Sequence, residues 1–313
     1  MTRALVFPGQ GSQAVGMGRE LAGAFATARD VFAEIDEALK QSLSRLMFEG
    51  PETDLVLTEN AQPALMAVSL AVARVLEKDG GLDLKRHVAF VAGHSLGEYS
   101  ALAAAYALNL ADTARLLKRR GLAMQRAVPV GVGAMAAMLG MELDLAREIA
   151  KAAEQGEVCD IANDNGGGQV VLSGNATAIE RAIAIAAERG AKRSIMLPVS
   201  APFHCALMKP AADEMQEALA EVKFGEPWVP LVANVSAAPV QDPTEIKRLL
   251  VEQVTGLVRW RECVLTMKEA GVHELVEVGS GRVLGGLTKR IDRDLKSSSI
   301  GAPAEIEVFL KTI

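Results

Sequence analysis

The chain has 313 residues, half of them hydrophobic, with 33 basic against 39 acidic side chains and a formal net charge of -6. That balance supplies no global field for phosphate and excludes broad nucleic-acid binding. Three scattered cysteines, Cys159, Cys205 and Cys263, with no CxxC and no HExxH, exclude a disulfide framework and the common zinc sites, so no metal is expected. With only 8 Phe, 2 Tyr and 2 Trp, the core must be built mainly from aliphatic residues and alanine. Apolar runs such as 101–108 fall far below the ~20 residues of a membrane span. The amino-terminal apolar run breaks at Pro8-Gly9, too short for a signal peptide. A cytoplasmic protein without membrane contact is expected.

Taken in chain order, short aliphatic strands alternate with amphipathic helices, which predicts α/β layers. A strand is expected over 4–7, helices over 24–40 and 62–77, and a buried strand over 87–92. Helices over 96–107 and 110–127 follow, closed by Pro129. The middle then reads strand 133–139, helix 143–154, strand 158–162, strand 169–173, a helix capped by Asn175 or Thr177 and running to 189, and strand 192–197. This β-α-β-β-α-β order is the ferredoxin-like pattern, bracketed by Gly131 and Pro198. It predicts a small insert, 130–198, set into a larger α/β domain, with a cleft at their junction. Two further core strands are expected over 229–233 and 273–278.

Gly93-His94-Ser95-Leu96-Gly97 is G-x-S-x-G between a strand and a helix, the setting of a nucleophile elbow. Ser95 would sit at a helix amino terminus, where the Leu96 N–H can face a developing oxyanion; the plainer reading is a glycine-rich turn with Ser95 as a helix cap. The possible bases number four. His94 adjoins the serine on a turn that points it elsewhere, while His87 and His273 begin apolar strands. His204 lies in a loop stiffened by Pro198 and Pro202, the rigid setting a general base requires. Its alternative is a helix-start residue bonded locally.

On the 110–127 helix the apolar face runs through Leu110, Ala114, Leu117, Gly121 and Met124, and Arg120 shares it while Lys118 and Arg119 point away. An inward arginine needs an anion. Both an internal ion pair with Asp or Glu and a fork for a substrate carboxylate satisfy that need. The Gly9-Gln10-Gly11 turn departs from GxGxxG, which disfavours a dinucleotide site; it could instead bring a backbone N–H beside the elbow as a second oxyanion donor.

FPGQGSQ at 7–13, GHSLGEYSAL at 93–102, RRGLAMQ at 119–125, PFHC at 202–205 and VEVGSGRVLGGLTKRI at 276–291 together resemble the malonyl-CoA:acyl carrier protein transacylase family. The resemblance runs over nearly the whole chain. It implies an α/β fold with a large α/β hydrolase-like domain, 1–129 and 199–313, and an inserted ferredoxin-like small domain, 130–198. It implies that Ser95 is malonylated, His204 is the catalytic histidine and Arg120 holds the free malonyl carboxylate. The oxyanion amides would be those of Gln10 and Leu96, and the main-chain carbonyl of Gln253 would orient the histidine. Met124, Asn163 and Phe203 resemble positions lining the acyl site. The family often has Asn-Pro where this chain has Gly256-Leu257.

The resemblance further implies malonyl-CoA as donor, the phosphopantetheine thiol of acyl carrier protein as acceptor, no permanently bound cofactor, and a place in fatty acid biosynthesis. A monomer is expected. The carrier would meet local basic residues, either Arg282, Lys289, Arg290, Arg293 and Lys296 or Lys118 and Arg119. Two other classes share parts of this reading. A serine hydrolase would share Ser95 and His204 but transfer to water, a true esterase also inviting a triad of Ser95, His273 and Asp213 or Asp242. A noncatalytic carrier-binding protein would use the fold without the chemistry.

Overall fold

The computed structural model describes residues 2–312, whose strands form two sheets. The larger contains β1 (Arg3–Phe7), β2 (Val88–Gly93), β7 (Leu231–Val232), β8 (Pro239–Val240), β9 (Glu274–Val278) and β10 (Lys296–Ile300), in the order β10-β9-β1-β2-β7-β8. All neighbours are parallel except β7 and β8. Parallel strands are covered on both faces and read as continuous apolar runs, and all five residues of β1 are buried. Alternation along β1 divides its side chains. Leu5 and Phe7 enter the core packed by helices Thr58–Lys78, Gly97–Ala104 and Leu110–Ala127. Ala4 and Val6 face Trp260–Glu269 and Val283–Ile291.

The smaller sheet holds β3 (Gly133–Leu139), β4 (Cys159–Asp164), β5 (Gln169–Asn175) and β6 (Arg193–Met196), in the antiparallel order β4-β5-β3-β6. Helices Leu143–Glu154 and Ala176–Glu188 pack on it through a separate apolar cluster that includes Met138, Ile149, Leu172 and Ile179. It touches the larger unit where Asn163 bridges Val258: Asp164 N donates to Val258 O and Val258 N donates to Ala162 O.

The structure departs from the sequence expectations at several points. The expected 24–40 helix runs over Ala26–Leu39, and a short helix that was not expected, Arg19–Ala24, precedes it, the two separated by the extended Phe25. The expected start at Gln62 lies inside a helix that begins at Thr58, where no side chain caps the end and Pro63, lacking an N–H, obscures the first turns. Asn175 precedes its helix without capping it, its side chain accepting from Val158 N instead. The 229–233 strand shrinks to two residues, since Pro230 has no amide to donate. Nothing in the apolar pattern marks β10. Its serines bond inward, Ser298 to Glu274 and Ser299 to Glu277. Among the described residues no helix is long and apolar enough to cross a membrane.

Candidate active site

At the carboxyl end of β2 the chain turns sharply into the Gly97–Ala104 helix. A Cβ on Gly93 would lie 1.9 Å from Gly97 C, and one on Gly97 would lie 2.3 Å from Phe7 O. Side chains at either position would collide with backbone, so the turn requires both glycines. Between them Ser95 adopts φ 53°, a left-handed conformation costing about 1–3 kcal/mol in a residue with a side chain. His204 carries the same strain, φ 58°. The two strained residues meet: Ser95 Oγ lies 2.7 Å from His204 Nε2.

The tautomer follows from the other ring nitrogen. His204 Nδ1 lies 2.8 Å from the Gln253 main-chain carbonyl, which can only accept, so Nδ1 carries the hydrogen and Nε2 is free to accept from the serine. Burial, reinforced by the Arg120 charge, pulls the His204 pKa from 6.5 down to about 3. The imidazole is therefore neutral in the resting site and able to take a proton.

Arg120 is 1% exposed. Its Nη1 donates to Gln62 Oε1 at 2.9 Å, and its Nη2 donates to Gln253 Oε1 at 2.8 Å and to Ser95 Oγ at 3.1 Å. Its Nε is buried without a partner, and among the described residues no carboxylate pairs with it. The internal ion pair that the sequence left open is not formed. The nearest acid in the network, Glu98, stands behind Gln253 and is pushed up to about 8 by burial, so it is largely protonated near neutrality. The site thus presents a cation aimed at the serine oxygen and ready for an anion.

The loop after β1 runs against the elbow, where His94 N donates to Phe7 O at 3.0 Å, and this places Gln10 alongside. Neither Gln10 N nor Leu96 N has an acceptor among the described residues. Both remain available to an oxyanion, with Leu96 at the helix entrance. Met124 lies one turn beyond Arg120 and its sulfur accepts from Gln62 Nε2 at 3.7 Å. Phe203 is buried beside His204 in the main core. Asn163 is buried at the end of β4 and meets the larger unit through its backbone bridge, with no side-chain bond to Ser95 or Arg120.

The remaining histidines lie elsewhere. His94 turns away, its Nε2 3.0 Å from Asn165 Oδ1 and its ring beside Trp260. His87 Nδ1 is bonded to Asp83 O. His273 precedes β9, at the end of the parallel sheet opposite the elbow, while Asp213 pairs with Lys209 and Asp242 caps a helix. The alternative hydrolase triad is not assembled. Cys205 Sγ donates to Pro202 O, and burial raises its thiol to about 11, which leaves it unreactive. No group of three or more His, Cys, Asp or Glu that could hold a metal occurs among the described residues.

A family model described as the acyl transferase domain matches residues 4–304. The malonyl CoA-acyl carrier protein transacylase of Bacillus subtilis (strain 168) is 44% identical over 311 residues, covering 99% of this chain and 96% of the relative. The transacylase of Escherichia coli (strain K12) is 44% identical over 308 residues, covering 98% of each. The crystal structure of the acyl-carrier-protein-S-malonyltransferase from Bartonella henselae is 55% identical, spans 100% of this chain and 99% of its own, and superposes with a TM-score of 0.98. The chain belongs to the malonyl CoA-acyl carrier protein transacylase family.

It is an acyltransferase. Another match, at 42% identity, TM-score 0.97 and full coverage of both chains, is a type II PKS acyl-carrier protein in complex with its malonyl-transacylase. In the present transacylase-family member, the basic residues considered for carrier docking are dispersed. Lys118 pairs with Glu59, Arg119 faces Glu214, Glu217 and Glu221, and Arg282 pairs with Glu305. Lys289, Arg293 and Lys296 surround a depression at the start of β9 and β10, the end of the sheet away from Ser95.

Sequence reasoning assigned no role to Gln62, Asn234 or Glu98. Asn234 Oδ1 accepts from Ser95 N at 2.8 Å and its Nδ2 donates to Gly93 O at 2.7 Å, binding both sides of the elbow. One signal was available: Glu98 is the one charged side chain in Gly97–Ala104, a helix with every residue buried, and a carboxyl there implies a buried partner.

Proposed function

We propose that this chain transfers a malonyl group from coenzyme A, through an ester on Ser95, to the phosphopantetheine thiol of acyl carrier protein. The carrying observation is the buried Arg120, unpaired with any carboxylate and bonded to Ser95 Oγ, which leaves a place for an acyl group that itself ends in a carboxylate. The family's named activity is transfer of this kind.

In the first half, His204 Nε2 takes the Ser95 proton as Oγ attacks the thioester carbonyl. The Gln10 and Leu96 amides face the oxyanion, and the malonyl carboxylate settles on Arg120. Collapse of the tetrahedral intermediate breaks the C–S bond. The imidazolium returns its proton to the departing thiolate, leaving malonyl-Ser95 and coenzyme A. In the second half the carrier thiol gives its proton to His204 and its sulfur attacks the ester; the Ser95 Oγ–C bond breaks and the imidazolium returns the proton to Oγ, leaving the malonyl thioester on the carrier. Met124 and Phe203 supply apolar packing around this centre, and Asn163 lies at the wall where the two sheets meet.

The segment 130–198 is read as a ferredoxin-like small domain inserted in a hydrolase-like domain of 1–129 and 199–313, supported by its strand order and its own apolar cluster. The same reading makes the protein a cytoplasmic, monomeric enzyme of fatty acid biosynthesis with no resident cofactor. Product partition tests it. With malonyl-CoA and holo acyl carrier protein, most of the malonyl group should appear on the carrier. Free malonate as the dominant product in the presence of carrier would make the protein a hydrolase.

A further inference from the structure

Glu98 follows Ser95 by three residues in the first turn of the Gly97–Ala104 helix and is 1% exposed. A buried carboxyl persists only where its oxygens are satisfied. One oxygen accepts from the Asn234 backbone N–H and the other from Gln253 Nε2–H. Those partners are the two residues that hold the site together. Asn234 binds Ser95 N and Gly93 O. Gln253 turns its Oε1 to Arg120 and its Nε2 to Glu98 and to Ser95 O, 2.9 Å away, while its main-chain carbonyl holds His204.

A glutamine amide is nearly symmetric in shape but opposite in polarity at its two ends. Were Gln253 to turn over, it would direct its NH2 at a guanidinium that has only donors, and Arg120 would lose one of its acceptors. Glu98 prevents this by offering a lone pair to Nε2, which it retains whether or not it carries a proton. We propose that Glu98 is a positioning residue for carboxylate selection, fixing the Gln253 amide so that Arg120 is aimed at the acyl group on Ser95. This rests on the transacylase reading above.

Glu98→Gln has nearly the same shape, but its amide nitrogen has no lone pair for a donor. Glu98→Asp keeps the carboxyl group and withdraws it from Gln253. Single-turnover acylation by malonyl-CoA and by acetyl-CoA, read by quenched intact mass, should show the malonyl-to-acetyl rate ratio falling about tenfold in both variants, a loss of one charge-assisted hydrogen bond. The acetyl rate should fall less than the malonyl rate, since that substrate does not use the fork. An unchanged ratio, or equal losses for both substrates, would overturn the proposal. So would failure of both variants to fold, which would assign Glu98 to stability alone. Wild-type protein run alongside separates the two claims: no malonyl ester there defeats the transacylase reading and this inference with it, whereas a normal ester with an unchanged ratio in the variants defeats only the role of Glu98.

Discussion

In His204→Ala, acylation of Ser95 by malonyl-CoA should fall about a thousandfold, the scale of losing a positioned general base. The serine would keep its strained backbone, and Gln10 and Leu96 their free amides, so a residual rate should survive from the oxyanion site and binding. The pH profile carries a matching expectation. A pKa lowered from 6.5 to about 3 keeps Nε2 unprotonated throughout the neutral and mildly acidic range. The acid limb of kcat/KM, which reports the free enzyme, should therefore lie well below pH 6.5. A malonyl carboxylate on Arg120 offsets the nearby positive charge that helps suppress His204 protonation, so the imidazole becomes more basic as substrate binds. Rapid-quench acylation across pH checks both points. A limb near 6.5, or loss of activity in His273→Ala but not in His204→Ala, would contradict the assignment.

Arg120→Ala should change selectivity more than it changes the acetyl reaction. Removing a buried guanidinium that pairs with the substrate carboxylate loses roughly 3 kcal/mol, about 150-fold in malonyl acylation. Acetyl-CoA, which has no carboxylate, leaves the parent's buried cation unpaired and gains relief from its removal. Its rate should hold or rise, so the malonyl-to-acetyl ratio collapses. Equal losses for the two donors, measured as kcat/KM, would make Arg120 a structural residue that merely holds Gln62 and Gln253.

Much of this site was legible because its demands fall on the backbone and on helix periodicity. The elbow needs glycine at 93 and 97 for steric reasons that a five-residue motif records. Arg120 breaks an apolar stripe, and the two prolines around His204 mark a stiff loop. The supporting network was not legible, because its members come together only in three dimensions. Gln62 reaches Arg120 across 58 residues, Asn234 reaches Ser95 across 139 and Gln253 reaches Glu98 across 155. No local pattern relates them. The middle segment was clear from alternation, with the bounds of Gly133–Leu139 and Leu143–Glu154 as expected. β10 was hidden because an edge strand of serines satisfied by neighbouring carboxylates needs no apolar alternation.

Whether Ser95 carries the malonyl group between two thiols can be read from intact-protein mass after brief exposure to malonyl-CoA and rapid quenching. One malonyl ester per chain is expected, absent from Ser95→Ala and discharged when holo acyl carrier protein is added. A correctly folded protein that forms no adduct, or a Ser95→Ala variant that still forms it, would rule out Ser95 as the carrier of the malonyl group.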